Sequence, residues 1–395
     1  MGRTVYRETA VVDHDRGELR TDTTIVVDGG RIAWIGPTDA EPDPGPDAEV
    51  VDCAGSTAVA GMVDAHSHLT MPGGAHWIDR GFEPVEVLEA VAEDNARLLS
   101  RTGVRWARDV GAPARHDPAH GRDRALSLTL RDRWRHRHDV PYIRAAGCWV
   151  NRRGALPEGL GLDVDDGDGL LAAAVQQLDD GADLVKLYLD GPDRDTSPFT
   201  AHEVARVVAA AHERGARVTA HSGLLPGARQ GVEGGVDSLE HGFQLDADVA
   251  ALMAANGVAL VTTLAVLESW RTFGRTTTLP RFAGLEGRAA IAGRREWAHE
   301  SARLAHRAGV LLAAGTDFGG GSLRAGQLAW EVETMVAAGI PPADALAAAT
   351  RNGGILLGEP EAGVLHEGGP ADFFLVHGDP TTEPSALWRV WRTAW

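Results

Sequence analysis

From residue 63 onward, strand-length apolar runs alternate with helix-length amphipathic stretches, and this alternation restricts the possible folds more than any other feature. Strand-like segments read at 63–68, 104–110, 142–148, 183–189, 217–221, 237–241, 259–264 and 310–317. Between them, 83–101 sets Val87, Leu88, Val91, Leu98 and Leu99 on a 3.6-residue period and stops before Gly103. Segments 200–214 and 246–256 follow the same pattern, each closing on a glycine. Parallel strands need long crossovers, so the alternation predicts an α/β fold with a parallel sheet. Eight alternations in ~260 residues match the size of a (β/α)8 TIM barrel.

The ends of the chain have a different texture. Residues 24–36 form two β-rich runs around Asp28-Gly29-Gly30, a hairpin signal, and 37–49 is a Pro-, Asp- and Glu-rich surface loop. Near the other end, residues 370–376 (Pro-Ala-Asp-Phe-Phe-Leu-Val) read as one more buried strand, able to rejoin the N-terminal strands. The expected division is therefore a small β-domain from 1–60 and 360–395, and a barrel over 61–359.

A formal charge of −18, from 56 acidic against 38 basic residues, argues against binding a phosphate backbone. No apolar stretch approaches a membrane span, and the opening residues carry no signal-type run. Two cysteines, Cys53 and Cys148, cannot make a disulfide framework, so a cytoplasmic location is expected.

Chemistry enters at the strand ends. Asp64, His66 and His68 recur every two residues, which puts them on one face of a strand. Two imidazoles converging on one point make a metal site, usually for zinc. A second His-x-His, His136 and His138, lies in a densely charged run without strand pattern and reads as a solvated helix or loop. Lys186 falls in the fourth strand segment, His221 and His241 end the fifth and sixth, and Asp317 ends the eighth. C-terminal strand ends of a barrel share one mouth, so these residues can meet there. Singly, His221 and His241 could be core histidines and Asp317 a helix cap. Lys186 shares its face with Leu184 and Tyr188, pointing its amine inward, where an unpaired ammonium is costly. Carboxylation by CO2 would make it an anion able to bridge two cations.

These residues, with 104–111, Glu240-His241-Gly242, Gly315-Thr316-Asp317, 345–353 and Gly369-Pro370-Ala371-Asp372, resemble the amidohydrolase superfamily, in particular its zinc-dependent prolidase-like and imidazolonepropionase-related branch. The resemblance implies a small β-sandwich built from both chain ends beside the barrel. It implies two divalent ions, zinc with manganese or iron as alternatives: His66, His68 and Asp317 on one, His221 and His241 on the other, a carboxylated Lys186 between them. It further implies a metal-bridging hydroxide as nucleophile and Asp317 as general base and then acid, with Glu240 or Asp64 holding the imidazoles.

Relatives of the prolidase type carry a Gly-Gly-His run after the third strand; here 151–161 has no histidine. Arg152 and Arg153 in that loop are candidate clamps for a substrate carboxylate, and Tyr188 a candidate hydrogen-bond donor. The segment 268–287, with Trp270 and Phe273, is positioned as a lid. Trp388, Trp391 and Trp395 are expected to pack on the small domain or a subunit interface, in a homo-oligomer. The leading expectation is hydrolysis of a C–N bond in a small amide, peptide-like or cyclic. The alternatives are a mononuclear deaminase or imidazolone-type ring hydrolase, and a non-catalytic scaffold. Deaminases of the superfamily carry a glutamate just past the fifth-strand histidine, and 222–227 has none.

Overall fold

The computed structural model describes residues 2–13 and 17–395. The N-terminal strands are β1 (Thr4–Asp13), β2 (Glu18–Asp28), β3 (Arg31–Pro37), β4 (Glu49–Asp52) and β5 (Ser56–Ala60). The turn between β2 and β3 is the expected hairpin: Asp28 pairs with Arg31, and Gly29 and Gly30 take φ of 56° and 79°, which glycine alone adopts without strain. β1 pairs with β2 along one edge and with β4 and then β5 along the other.

The parallel strands follow. They are β6 (Met62–Ser67), β7 (Val104–Asp109), then, after a small hairpin of β8 (Ala114–Asp117) and β9 (Arg122–Ala125), β10 (Tyr142–Ala145). Next come β11 (Val150–Arg152), β12 (Leu162–Val164), β13 (Leu184–Tyr188), β14 (Arg217–Ser222), β15 (Ser238–His241), β16 (Ala259–Thr262) and β17 (Leu312–Ala314). They form two sheets, β10-β7-β6 and β12-β11-β13-β14-β15-β16-β17, parallel throughout. Backbone hydrogen bonds run between the sheet margins: Asp317 N to His66 O at 2.8 Å, His68 N to Phe318 O at 3.0 Å, and Asp183 N to Ala145 O at 2.9 Å. Two strand ends differ from expectation. β17 stops at Ala314, so Asp317 lies on the turn beyond it, and β10 stops at Ala145, with the following segment adding β11 and β12 instead.

The intervening helices use the signals seen in the sequence. Thr200 and Glu203 make a reciprocal capping box at the start of Ala201–His212, and Asp246 caps Ala247–Asn256, which ends on Gly257 at φ 68°. In Val85–Arg101 the buried stripe is Leu88, Ala92, Ala96 and Leu99, whereas Val87 and Leu98 are exposed. The buried stripe thus runs through small alanines and not through the larger residues beside them. The segment 268–287 folds as helix, within Leu264–Thr276, Pro280–Ala283 and the start of Leu285–Arg307. No helix among the described residues is long and apolar enough to cross a membrane.

The last strands, β18 (Phe373–His377) and β19 (Val390–Thr393), return to the N-terminal sheet, β18 lying antiparallel to β5. Successive strand side chains point to opposite faces, and here both faces are covered. Phe373 and Leu375 join a cluster with Tyr6, Ile25 and Ile32, while Phe374 and Val376 join the core of the parallel sheets with Val59 and Val104. That explains why β18 is apolar without alternation. Of the tryptophans behind it, Trp391 Nε1 donates to Ser56 Oγ within the same sheet, while the bonds from Trp395 Nε1 to Ser100 Oγ and from Trp388 Nε1 to Glu333 tie this end of the chain to helices beside the parallel strands.

A buried ion pair sits at the same junction. Arg105 of β7 donates to Asp372 at 2.7 Å, and its guanidinium lies 4.1 Å from the Tyr142 ring centroid. Removing the carboxylate strands a buried cation, so Asp372→Ala is expected to lower unfolding free energy by about 3 kcal/mol or more. Urea denaturation followed by tryptophan fluorescence measures this, and an unchanged midpoint would refute it.

Candidate metal centre

His66 is the penultimate residue of β6 and His68 lies just past its end, both buried. His66 Nδ1 donates to Glu240 Oε2 at 2.6 Å and His68 Nδ1 to the Gly111 carbonyl at 2.8 Å. Each ring thereby turns its Nε2 lone pair inward. The two Nε2 atoms stand 3.2 Å apart, and Asp317 Oδ1 lies 3.4 Å from one and 3.3 Å from the other. A tetrahedral zinc ion with bonds of about 2.0–2.1 Å has ligand-to-ligand edges of roughly 3.3 Å. Burial, then the nearby Lys186, holds the His66 imidazole below its usual range, keeping it neutral. Three electron-rich atoms at this spacing repel one another unless a cation sits among them.

His241 ends β15, and its Nδ1 meets Thr263 Oγ1 at 2.8 Å. A ligand atom each from His66, His241 and Asp317 lie within 4.8 Å of one another, so these three could also hold a metal ion. Burial and the neighbouring His221 and His66 keep the His241 ring well below its usual pKa. The His221 ring packs 4.5 Å from that of His241 and stacks on Tyr188 at 3.9 Å. Its Nε2 lies 3.4 Å from Asp190, whose carboxylate also accepts from Ser222 Oγ and Gly223 N, so Nδ1 is the nitrogen left for another partner.

Lys186 of β13 is 1% exposed, and its Nζ has no hydrogen-bond partner among the described residues. Burial pulls its pKa down to about 8, partly opposed by Glu240. An unsatisfied buried amine is costly, which marks a position built for something further. Lys186 shares a small chamber of about 80 Å³ with His66, His68, His221, His241 and Asp317. Tyr188, His221, His241 and Asp317 also line a larger cavity of about 330 Å³ that leads outward.

The support around the ligand atoms is specific. Glu240 is fully buried and accepts from His66, Arg108 of β7 and Thr219 of β14. Burial alone would raise its pKa, but the Arg108 and Lys186 charges hold it well below the usual carboxylate range. Asp64 does not reach a histidine side chain; it accepts from Thr316 N at 3.0 Å and Thr316 Oγ1 at 2.7 Å, fixing the residue before Asp317. Burial pushes the Asp64 carboxyl up to about 7. His241 and Asp317 take φ of 69° and 53°, a left-handed backbone at two non-glycine residues, and such strain concentrates at functional sites. Gly320 must stay a glycine, since a Cβ there would fall on the His68 ring.

Other sequence candidates lie elsewhere. Arg153 is exposed and pairs with Asp165 at 2.9 Å, and neither it nor Arg152 lines the two cavities. A local acid satisfies the arginine before any substrate could. His136 and His138 are exposed in the turns after the helix Leu126–Trp134. Trp270 of the expected lid does line the outer cavity. Asp190, Thr263, Arg108 and the Gly111 carbonyl escaped the sequence reading. Asp190 had a signal, since it continues the period-two face of Lys186 and Tyr188. Arg108 and Glu240 had another: two opposite charges inside apolar strands imply each other.

The amidohydrolase family model matches residues 57–392. The chain is 32% identical to an uncharacterized protein of Mycobacterium tuberculosis, over 96% of this chain and 94% of that one. It is 28% identical to an imidazolonepropionase of Saccharopolyspora erythraea, over 64% of this chain and 65% of the relative. A Xaa-Pro dipeptidase crystal structure with bound methionine superposes with a TM-score of 0.83 at 24% identity, covering 99% of this chain and 98% of the other. The chain belongs to the amidohydrolase family.

Proposed function

We propose that this chain is a metal-dependent hydrolase of amide C–N bonds, working at the mouth of a (β/α)8 barrel whose small domain is a β-sandwich from both chain ends. Family membership supports a hydrolase acting on C–N bonds. The observation that carries the metal is the triangle of His66, His68 and Asp317 at 3.2–3.4 Å beside the partnerless amine of Lys186. Nitrogen-rich ligands suit zinc, with manganese or iron as alternatives.

His66, His68 and Asp317 would hold one ion and His221 and His241 a second, with a carboxylated Lys186 contributing oxygens to both. Carboxylation needs the neutral amine: its lone pair attacks CO2, an N–C bond forms, and a proton leaves to solvent. A buried site that would otherwise carry +1 then carries −1, which fits a place between cations. When bound, the ions supply Lewis acidity that polarises a carbonyl and acidifies water.

The chain's own groups do the rest. The Asp317 carboxylate, on the wall of both cavities, accepts the proton of the attacking water and returns it to the departing nitrogen. Tyr188, stacked on His221, lies where its hydroxyl can donate to the substrate. Glu240 and the Gly111 carbonyl hold the two imidazoles against rotation, so the ligand atoms need no rearrangement when charge develops. The imidazolonepropionase relatives favour, as a second reading, opening of a cyclic amide by the same groups. A deaminase has less support, because no glutamate follows His221 in 222–227.

Elemental analysis of the protein is expected to give about two divalent ions per chain; a single ion would favour the mononuclear reading. A screen of dipeptides, N-acyl amino acids, lactams and cyclic imides with zinc or manganese tests the bond cleaved. Lys186→Ala should lose activity and most bound metal, with short carboxylic acids plus metal restoring part of both. Full activity in that variant would remove the bridging role. Asp317→Asn should keep most metal while kcat falls on the order of 10²–10⁴-fold, and an unchanged rate would assign the proton transfer elsewhere. Glu240→Gln should weaken metal affinity about 10–100-fold, read by chelator competition.

A further inference from the structure

The outer cavity contains two arginines that no acid answers. Arg194, in the loop after β13, and Arg294, in the helix Leu285–Arg307, both line it together with His221, His241 and Asp317. Among the described residues neither guanidinium has a hydrogen bond or a carboxylate partner, and the contact of Arg294 is the Trp270 ring face, 5.8 Å away. The chain carries 56 acidic residues against 38 basic ones, so acids are abundant. On the same helix Arg295 pairs with Glu268, Arg303 with Glu300 and Arg307 with Glu300. Arg294 is half-buried, and burial followed by repulsion from Arg194 pulls its pKa down. Arg194 is exposed, so this repulsion is screened, but both guanidinium groups stand on the wall of one cavity and give it a positive charge that an anion would offset.

Of the two acids on the cavity wall, Asp190 is already committed to Ser222 and Gly223, and Asp317 faces His66 and His68. The remaining walls are largely aromatic: Phe243 packs against His241 at 5.3 Å, and Trp297 is 56% exposed at the rim. An exposed indole beside unpaired guanidinium groups suits a ligand with a flat apolar body and a carboxylate.

We infer that Arg194 and Arg294 are specificity-determining residues that receive a carboxylate of the substrate, making the substrate an N-acyl amino acid or similar amide acid with an apolar or aromatic side chain. This rests on the cavity being the substrate site of an amide hydrolase. It replaces Arg152 and Arg153 as the carboxylate clamp.

The test compares N-acetyl-L-phenylalanine with N-acetyl-L-phenylalaninamide, which differ only in a carboxylate against a neutral carboxamide, by calorimetric binding to the metal-loaded protein. The acid should bind at least about tenfold more tightly. The double variant R194A/R294A, with metal content checked by elemental analysis, should bring the acid to the level of the amide. Arg294→Lys, which keeps charge but not the planar fork, should give an intermediate ratio. Equal affinities in the unaltered protein overturn the inference. So does an acid preference that survives in the double variant, because the ions themselves would then be holding the carboxylate. A variant that weakens both ligands together would show a structural role and also overturn it. Hydrolysis distinguishes this from the broader reading. Turnover of neutral amides in preference to acids sinks the arginine assignment while leaving C–N hydrolysis standing. Acid binding lost in the double variant, with no amide cleaved, does the reverse.

Discussion

The carboxylate of Glu240 is the interaction on which the centre depends. A fully buried negative charge survives only when its lone pairs are all used. Here Arg108 arrives from β7, His66 from β6 and Thr219 from β14, while Glu240 itself belongs to β15. One side chain thus ties four strands together at the depth where the imidazoles begin. Replacing any partner would leave another charge or ring without support, so packing and ligand orientation are the same problem at this point. Arg108 extends the network by donating to the Ala65 carbonyl at 2.5 Å, next to His66.

Above that layer, precision comes from backbone in unusual conformations. His241 and Asp317 leave their strands through left-handed φ, and Asp64 holds Thr316 so that Asp317 cannot relax. Gly320 and Gly315 remove side chains that would collide with the His68 ring and His66 Cβ. The atoms that face the inner chamber are therefore set by strain and close approach together, which a mere pocket would not require.

Much of this was legible in the sequence, for a simple reason. Strand ends and period-two faces are local properties, so His66, His68, Lys186, His221 and His241 could be put on strands and near one mouth without any tertiary information. What the sequence hides is whatever depends on which partner a side chain meets in the folded chain. Arg152 and Arg153 looked available because Asp165, which pairs with Arg153, gives no sign of its position in the sequence. Arg194 and Arg294 attracted no notice because an unpaired arginine is recognisable only once every nearby acid has been located. Val87 and Leu98 fall on the apolar period yet stay exposed, while the small Ala92 and Ala96 are buried, because size alone does not mark which face turns inward. Asp317 was assigned to a strand, and it lies on the turn beyond, since nothing local marks a left-handed residue that is not glycine.

The pairing of β5 with β18 has a temporal side. Thr57 Oγ1 donates to the Gly378 carbonyl across 321 positions of sequence, and β5 leads directly into β6, which carries His66. A chain emerging from a ribosome must therefore hold β5 with one edge unpaired until β18 has cleared the exit tunnel. The candidate site draws its side chains from residues 66 to 317, yet the sheet that anchors its first strand is finished only by residues made afterwards. The making of β18 thus governs when His66 and His68 become fixed, and a nascent chain that has not yet reached β18 would hold a looser site than one that has.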